Sequence, residues 1–346
     1  MYRQYYGLSR KPFELSPDPE VVYMSETHQE ALAILRYGVM SGKGFLVLTG
    51  DVGTGKTTLL QALVASLDNR VHLCLLNNPV LEREEFFTYI GHYFGLTFQG
   101  NKAAFLLAFA DFLKGCQERE EKVLLIVDEA HVLPVELLEE IRLLSNQDRQ
   151  GQEVLSVFLV GQPELNVRMS DDRLLPLRQR IGMRFHLQPF NSEEARQYIL
   201  FRLRRAGGQH LDLFTGEAMD LIYQASKGTP RLINILCDHA LLTGFAMEKP
   251  VIDGSIIREC IGELHFPGEE TPLPLPVQKK KDSGNRGLVG RGLTVLLLLL
   301  LGFAVVEAVP PLRPYSPLQF ILPPQWRDTI HLFLDRLAGG LHGKGF

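Results

Sequence analysis

Residues 44–58 read G-F-L-V-L-T-G-D-V-G-T-G-K-T-T, an apolar run that passes without a break into a glycine-rich loop. Gly44–Leu48 has the continuous hydrophobicity of a parallel strand covered on both faces. Gly50–Thr57 then matches G-x-x-x-x-G-K-[ST], the pattern of a phosphate-binding loop between a strand and a helix. The glycines at 50, 53 and 55 leave room for backbone N–H groups to curl around an anion. The stretch Gly50, Asp51, Val52, Gly53, Thr54, Gly55, Lys56, Thr57 and Thr58 is therefore the expected nucleotide cradle. Lys56 would reach the β and γ phosphates and Thr57 would place its hydroxyl on Mg2+. A helix opening at Thr58 would aim its positive dipole end at the same anion.

Outward from this loop, strands and helices alternate. Val71–Leu76 reads as a second strand, and 82–94 and 103–117 as amphipathic helices, so a parallel sheet is expected. Lys122–His131, K-V-L-L-I-V-D-E-A-H, ends an apolar strand in two carboxylates at the sheet edge where open α/β sheets bind ligands. Asp128 is expected to hold Mg2+, directly or through water, and Glu129 to orient and polarise an attacking water. His131 completes letters shared with a class of helicases, but no tandem second domain is expected, and the residue reads as a helix start with a modest polar contact. Val154–Val160 is a further buried strand that delivers Gln162 to the same edge. There its amide would hold the water or the γ-phosphate, the alternative being a polar turn residue before Pro163. Arg178, Arg180 and Arg184 stand close together before a strand F-H-L. Either one of them is an arginine finger for a neighbouring subunit's γ-phosphate, or they are surface charge.

From Asn191 the pattern turns wholly helical. Asn191 and Glu194 form a capping box, Thr215 caps a second helix, and Thr229-Pro230-Arg231 opens a third with proline at its first position. A cation in a first turn opposes the helix dipole, so Arg231 needs an anion, which a nucleotide phosphate would supply. Residues 254–264 complete this helical lid. Ahead of the first strand, His28–Met40 has an apolar helix face, and the aromatic, proline-bearing residues before it are expected to be irregular and to lie against the body. A segment just ahead of a phosphate-loop strand is also placed to cover an adenine base.

The composition, 45% apolar and 22% charged, is that of a globular protein. Residues 1–265 carry 27 Lys and Arg against 34 Asp and Glu, and 266–346 carry 9 against 6. An acidic body argues against a broad nucleic-acid surface. Cys74, Cys116, Cys237 and Cys260 are far apart and read as small apolar fillers, with neither a disulfide framework nor a zinc site indicated. No secretory signal is expected in the polar and aromatic opening residues. Residues 266–287 read as a proline- and lysine-rich linker, and 288–309 as a single membrane span of marginal length. Lys279, Lys280, Lys281, Arg286 and Arg291 before the span would keep the preceding domain in the cytoplasm. In the tail, 310–346, Trp326, Ile330, Phe333, Leu334, Leu337 and Leu341 share one helical face after six prolines.

The ordered set G-D-V-G-T-G-K-T, V-L-L-I-V-D-E-A-H, L-V-G-Q-P-E-L, L-R-Q-R-I and G-T-P-R-L-I-N resembles the AAA+ ATPases. Together with Y-Y-G-L-S-R-K-P-F-E-L-S-P-D-P and H-Q-E-A-L it resembles more narrowly the ExeA/GspA-type secretion ATPases and their relatives at exopolysaccharide or protein-sorting loci, over residues 1–265. The resemblance implies an α/β P-loop NTPase (AAA+) core of three layers, with a central parallel sheet in strand order 5-1-4-3-2 and a small all-α lid, to which the apolar run at 288–309 adds a C-terminal transmembrane helix. The division is 1–40 for the adenine-side segment and helix, 41–190 for the core and 191–265 for the lid, followed by linker, span and tail. It implies ATP and Mg2+ as ligands, Gln162 as sensor 1, Arg231 as sensor 2 and Arg180 as the finger, with Arg178 beside it nearly as suitable. It further implies a homo-oligomer at the bacterial inner membrane, single-pass, whose partners are secretion or polysaccharide-export proteins. The peptidoglycan-binding domain often found in such proteins is not expected after the span. Two other readings stand beside this one, a DNA-associated switch of the transposition-ATPase type and an ATP-binding scaffold with little turnover.

Overall fold

The computed structural model describes residues 1–15, 22–42, 44–77, 81–98, 101–147, 154–208 and 211–264, all within one compact unit, Met1–Glu270. The expected linker, span and tail lie outside the described residues. Among the described residues, no helix is long and apolar enough to cross a membrane.

Five strands, β1 (Phe45–Gly50), β2 (Val71–Leu76), β3 (Lys122–Val127), β4 (Leu155–Gly161) and β5 (Ile181–Leu187), form one sheet in the order β2-β3-β4-β1-β5. Every pairing is parallel, and the order is the one the resemblance implied. Parallel pairing requires a crossover between strands, and the helices that supply the crossovers cover both faces. In chain order the helices are α1 (Tyr2–Tyr5), α2 (Glu26–Ser41), α3 (Lys56–Ala65), α4 (Arg83–Tyr93), α5 (Lys102–Glu118), α6 (Val135–Leu144), α7 (Glu164–Arg168), α8 (Leu175–Arg180), α9 (Ser192–Arg205), α10 (Gly216–Ser226), α11 (Pro230–Ala246) and α12 (Gly254–Glu263).

Side chains alternate across a strand, and the two faces of the sheet consequently make two cores. Phe45, Val47, Val123, Leu125, Val157 and Leu159 pack with Phe86, Phe105, Phe109 and Ile141 from α4, α5 and α6. Leu46, Leu48, Leu124, Ile126, Phe158 and Val160 pack with Leu35, Val39, Leu59 and Leu63 from α2 and α3. Each such side chain contributes about 1.5–3 kcal/mol by leaving water. The strands buried on both faces are therefore the ones that read as unbroken apolar runs. Edge strand β5 behaves differently, exposing Gly182, Arg184 and His186 while the residues between them turn inward. It begins at Ile181, ahead of the F-H-L expected from sequence, so Arg184 lies inside the strand while Arg178 and Arg180 fall in the last turn of α8.

The lid, α9 to α12, has its own core built on Ile199, Leu203, Ile222, Ile233, Leu236 and Ile257. The opening residues hold one short helix, and Tyr2, Tyr6, Leu8 and Phe13 join the lid core rather than the sheet layers. The Tyr2 hydroxyl donates to Asp238, the Tyr6 hydroxyl to the Lys249 carbonyl, and Ser9 Oγ to the Ala206 carbonyl at 2.8 Å. All four cysteines are free and buried.

Candidate nucleotide-binding site

Because all strands run the same way, β1, β3 and β4 deliver their C-terminal ends to one edge of the sheet, where residues Asp51, Asp128 and Gln162 follow them. A cleft of about 430 Å3 opens there, lined by the phosphate loop, Glu129, Gln162, the start of α11 and an aromatic wall. A volume of this order suits a small organic ligand.

The loop between β1 and α3 is braced from within. Thr54 is buried and its hydroxyl donates to the Asp51 carbonyl at 2.9 Å. Lys56 Nζ donates to the carbonyls of Gly50 at 2.7 Å and Asp51 at 2.9 Å. Helix α3 begins at Lys56, two residues before the expected Thr58, with Gly55 as its N-cap and no side chain capping its first N–H groups. That leaves the positive end of the helix at the cleft.

Asp128 is held where β3 ends by its N–H, which donates to the Leu76 carbonyl at 2.9 Å. Its Oδ1 accepts from the Glu129 N–H at 2.9 Å, and its Oδ2 from the Thr57 hydroxyl at 3.2 Å. The residues expected to hold a divalent cation are thus in contact, a hydroxyl from the first turn of α3 and a carboxylate oxygen from the end of β3, which is the donor chemistry Mg2+ takes. Burial pushes the Asp128 carboxyl up and the Lys56 ammonium down, and the charge of Glu129 adds to the first and offsets part of the second. A bound cation would offset the first shift and a bound polyphosphate the second.

Glu129 adopts a left-handed backbone conformation, φ 54°, in the turn that leaves the sheet. Its carboxylate remains partly exposed at the cleft, with Oε2 3.3 Å from His131 Nδ1. The same Nδ1 lies 3.4 Å from the Gln162 N–H. One ring nitrogen cannot serve both: the neutral ring accepts from Gln162, and pairing with Glu129 requires a proton on Nδ1. His131 is thus part of a short connecting helix with a polar contact, as its position in sequence suggested.

Arg231 enters the cleft from the lid. Its N–H donates to the Gly53 carbonyl at 3.3 Å, and a Cβ at Gly53, φ +81°, would stand 2.6 Å from Arg231 Cβ. Glycine is required at 53 because the first turn of α11 is pressed against the loop. Arg178 and Arg180 are not brought to this cleft. Arg178 donates to the Ser170 carbonyl at 3.2 Å and Arg180 to Ser145 Oγ at 2.6 Å, on the far side of the sheet edge.

Sequence reading expected the segment ahead of the first strand near an adenine base but singled out no individual residue of the cleft's remaining wall. Glu14, Leu15, Tyr23, His28, Phe190 and Tyr198 line it, with Tyr23 edge-on to Phe190 at 5.5 Å. Arg202 ties the wall together, donating to the carbonyls of Pro12 and Glu14 and, at 3.1 Å, to the Tyr198 hydroxyl. The available signal was the Tyr198, Arg202 spacing, which puts both side chains on one face of α9. Elsewhere, His72, Cys116 and Glu121 bring ligand atoms within 4.8 Å of one another. Arg119 already donates to the same Glu121 oxygen at 2.9 Å and, with His72, holds that carboxyl well below its usual range.

A parallel sheet with a phosphate loop at its edge, paired acidic residues and a helical lid define an α/β P-loop NTPase fold. Residues 39–169 match the family model described as AAA domain. Within that class the chain is similar to general secretion pathway protein A of Aeromonas hydrophila, 40% identical over 260 residues that make up 74% of this chain and 47% of that protein. The chain thus spans about half the length of this relative, which carries the name of the family its motifs resemble. Solved structures with the same fold include the ORC2 protein of Aeropyrum pernix in its ADPNP–ADP complexes, with TM-score 0.55 and 20% identity, covering 74% of this chain and 72% of that one. Cdc6p of Pyrobaculum aerophilum has TM-score 0.55 and 17% identity, covering 74% and 71%.

Proposed function

We propose that the protein binds and hydrolyses ATP in this cleft and uses the turnover to move the helical lid against the core. The observation that carries the reading is the contact of Thr57 with Asp128 at 3.2 Å, with Glu129, Gln162 and Arg231 lining the same cleft. Backbone N–H groups of residues 53–58 and Lys56 take the polyphosphate. Thr57 and Asp128 hold Mg2+, which when bound supplies positive charge to the phosphate oxygens. Glu129 accepts a proton from the attacking water, and the Gln162 amide orients that water or the γ-phosphate. Arg231, fixed to Gly53 through its backbone, meets the phosphate with a charge otherwise unfavourable at a helix start. Arg180, with Arg178 as the neighbouring candidate, acts on the site of a second copy, because its own chain's cleft is out of its reach.

The protein serves a secretion or envelope-polysaccharide export assembly as a homo-oligomer, anchored in the bacterial inner membrane by residues 288–309 with the ATPase unit cytoplasmic. The similarity to general secretion pathway protein A and the apolar run following a lysine cluster support this part. Phosphate release from ATP by the purified protein tests the chemistry, and no release at any protein concentration would overturn it. A reporter enzyme active only outside the cytoplasm tests the anchor. Fused after Phe346 it should be active and fused after Leu264 inactive, and equal activity would remove the span.

A further inference from the structure

His28 lies against the phosphate loop, almost wholly buried, with its ring beside Gly55, the N-cap of α3. Its Nε2 lies 3.1 Å from the Thr54 carbonyl oxygen and its Nδ1 lies 2.8 Å from Ser25 Oγ. A carbonyl only accepts, so Nε2 carries the proton and Nδ1 accepts from the Ser25 hydroxyl. Ser25 is also the N-cap of α2, and its Oγ accepts from the His28 N–H at 3.3 Å. The ring is thus oriented from behind by the first residues of the helix that carries it. From the other side it packs on Phe190, centroids 5.4 Å apart.

The consequence lies in the peptide between Thr54 and Gly55. In a planar trans peptide the C=O of one residue and the N–H of the next point in opposite directions. Holding the Thr54 carbonyl toward α2 therefore turns the Gly55 N–H to the other side of the loop. Gly55 has φ +101°, and glycine tolerates nearly any φ, so on its side a flip of this peptide meets little resistance. A Cβ at position 55 would stand 3.0 Å from His28 Nε2, which shows how closely the ring is applied to the loop. Some group outside the loop has to fix the peptide if its N–H is to be ready for an anion, and His28 is in place to do so.

We propose that His28, oriented by Ser25, is a positioning residue that locks the 54–55 peptide with its N–H toward the phosphates of a bound nucleotide. The inference rests on the nucleotide-binding reading of the cleft. Burial depresses the imidazole's affinity for a proton, consistent with a neutral ring of a single tautomer.

Titrations of the full-length protein with ATP, ADP and AMP separate this role from a packing role. His28→Ala should weaken ATP and ADP about tenfold, the scale of one lost charge-assisted hydrogen bond, and AMP less than about twofold, because the loop's backbone cradles the β and γ phosphates. His28→Gln, whose amide N–H2 can reach the same carbonyl, should recover most of the loss, and Ser25→Ala should fall between. Thermal melting without nucleotide monitors the fold, and if His28→Ala does not fold, the glutamine and Ser25 variants still carry the comparison. Equal weakening of AMP and ADP, or His28→Gln no better than His28→Ala, would overturn the proposal in favour of a wall for the base. Absence of nucleotide binding by the parent protein would instead overturn the reading on which it rests.

Discussion

Thr57 and Asp128 stand 71 positions apart in the chain, yet the Thr57 hydroxyl donates to Asp128 Oδ2 at 3.2 Å. The contact exists because β1 and β3 run parallel on either side of β4, so that the loop after one strand and the acidic pair after the other share an edge. Fold and chemistry meet in this pair.

Removing either oxygen should alter the response to Mg2+ before it alters anything else. Thr57→Val should lower turnover at millimolar Mg2+ by about a hundredfold, the effect expected when a few kcal/mol of cation binding is lost. It should raise the Mg2+ concentration needed for half-maximal activity, while leaving nucleotide affinity in EDTA near that of the parent. An unchanged Mg2+ titration would show that the hydroxyl is only a helix-start hydrogen bond.

Burial of Asp128 and Lys56 at this site should show in stability. A carboxyl whose folded pKa is raised, as burial raises that of Asp128, contributes stability below the ordinary aspartate value and loses it as pH climbs through the folded value. Lys56, its ammonium pushed down by burial, costs stability wherever it is charged, and that cost vanishes only above the ordinary lysine range. Wherever both groups are charged, both charges therefore weigh against the fold. Asp128→Asn should raise the melting temperature by about 3 °C, about 1 kcal/mol for a unit of this size, when neither nucleotide nor Mg2+ is added. Calorimetry at pH 7 checks it, and a lower melting temperature would mean that the pair stabilises the fold.

The thiols give a test of the packing itself. Burial pushes Cys74 up to about 12 and Cys116 up to about 11, and also raises Cys237 and Cys260. The thiolate is the reactive form, so an aromatic disulfide reagent at pH 8 should find no fast-reacting thiol in the native protein and all four after unfolding. A rapid reaction at any of them would show that its core opens.

Much of this arrangement was legible in the sequence, and the exceptions have physical reasons. Strands β1, β3 and β4 are buried on both faces and announce themselves as apolar runs, and the glycine-lysine loop and the acidic pair sit at their ends. Strand β5 was read too short because it is an edge, where Gly182 and Arg184 face outward and interrupt the run. The order of strands is not a local property at all; periodicity fixes that a sheet is parallel, and only the resemblance implied how its strands are ranked. The opening residues have no period of either kind, so nothing local says that Tyr2, Tyr6 and Phe13 complete the lid core. Nothing in the sequence distinguishes His28 from the other residues of its helix, since what sets it apart is a carbonyl brought beside it by the fold.

Shared catalysis between copies follows from where the arginines lie. Arg180→Ala subunits, whose own phosphate loop is intact, mixed with Lys56→Ala subunits, whose Arg180 is intact, should regain part of the activity that each lacks alone. A transition-state arginine is worth on the order of a thousandfold in rate, so even partial recovery is measurable. Full activity in both Arg180→Ala and Arg178→Ala, or turnover per subunit that does not change with protein concentration, would leave these residues as surface charge.

The most direct test of the account is a single comparison at saturating Mg2+ and ATP, the steady-state turnover of Glu129→Gln against that of the parent, with nucleotide affinity measured on the same samples. Glu129 reaches the cleft from a turn with φ 54° and takes no part in the phosphate loop's own hydrogen bonds. Its amide variant should therefore bind ATP as the parent does and lose about a hundredfold or more in turnover, the scale of a removed general base. Turnover at the parent rate would contradict the assignment of Glu129 and, with it, the proposed hydrolysis in this cleft.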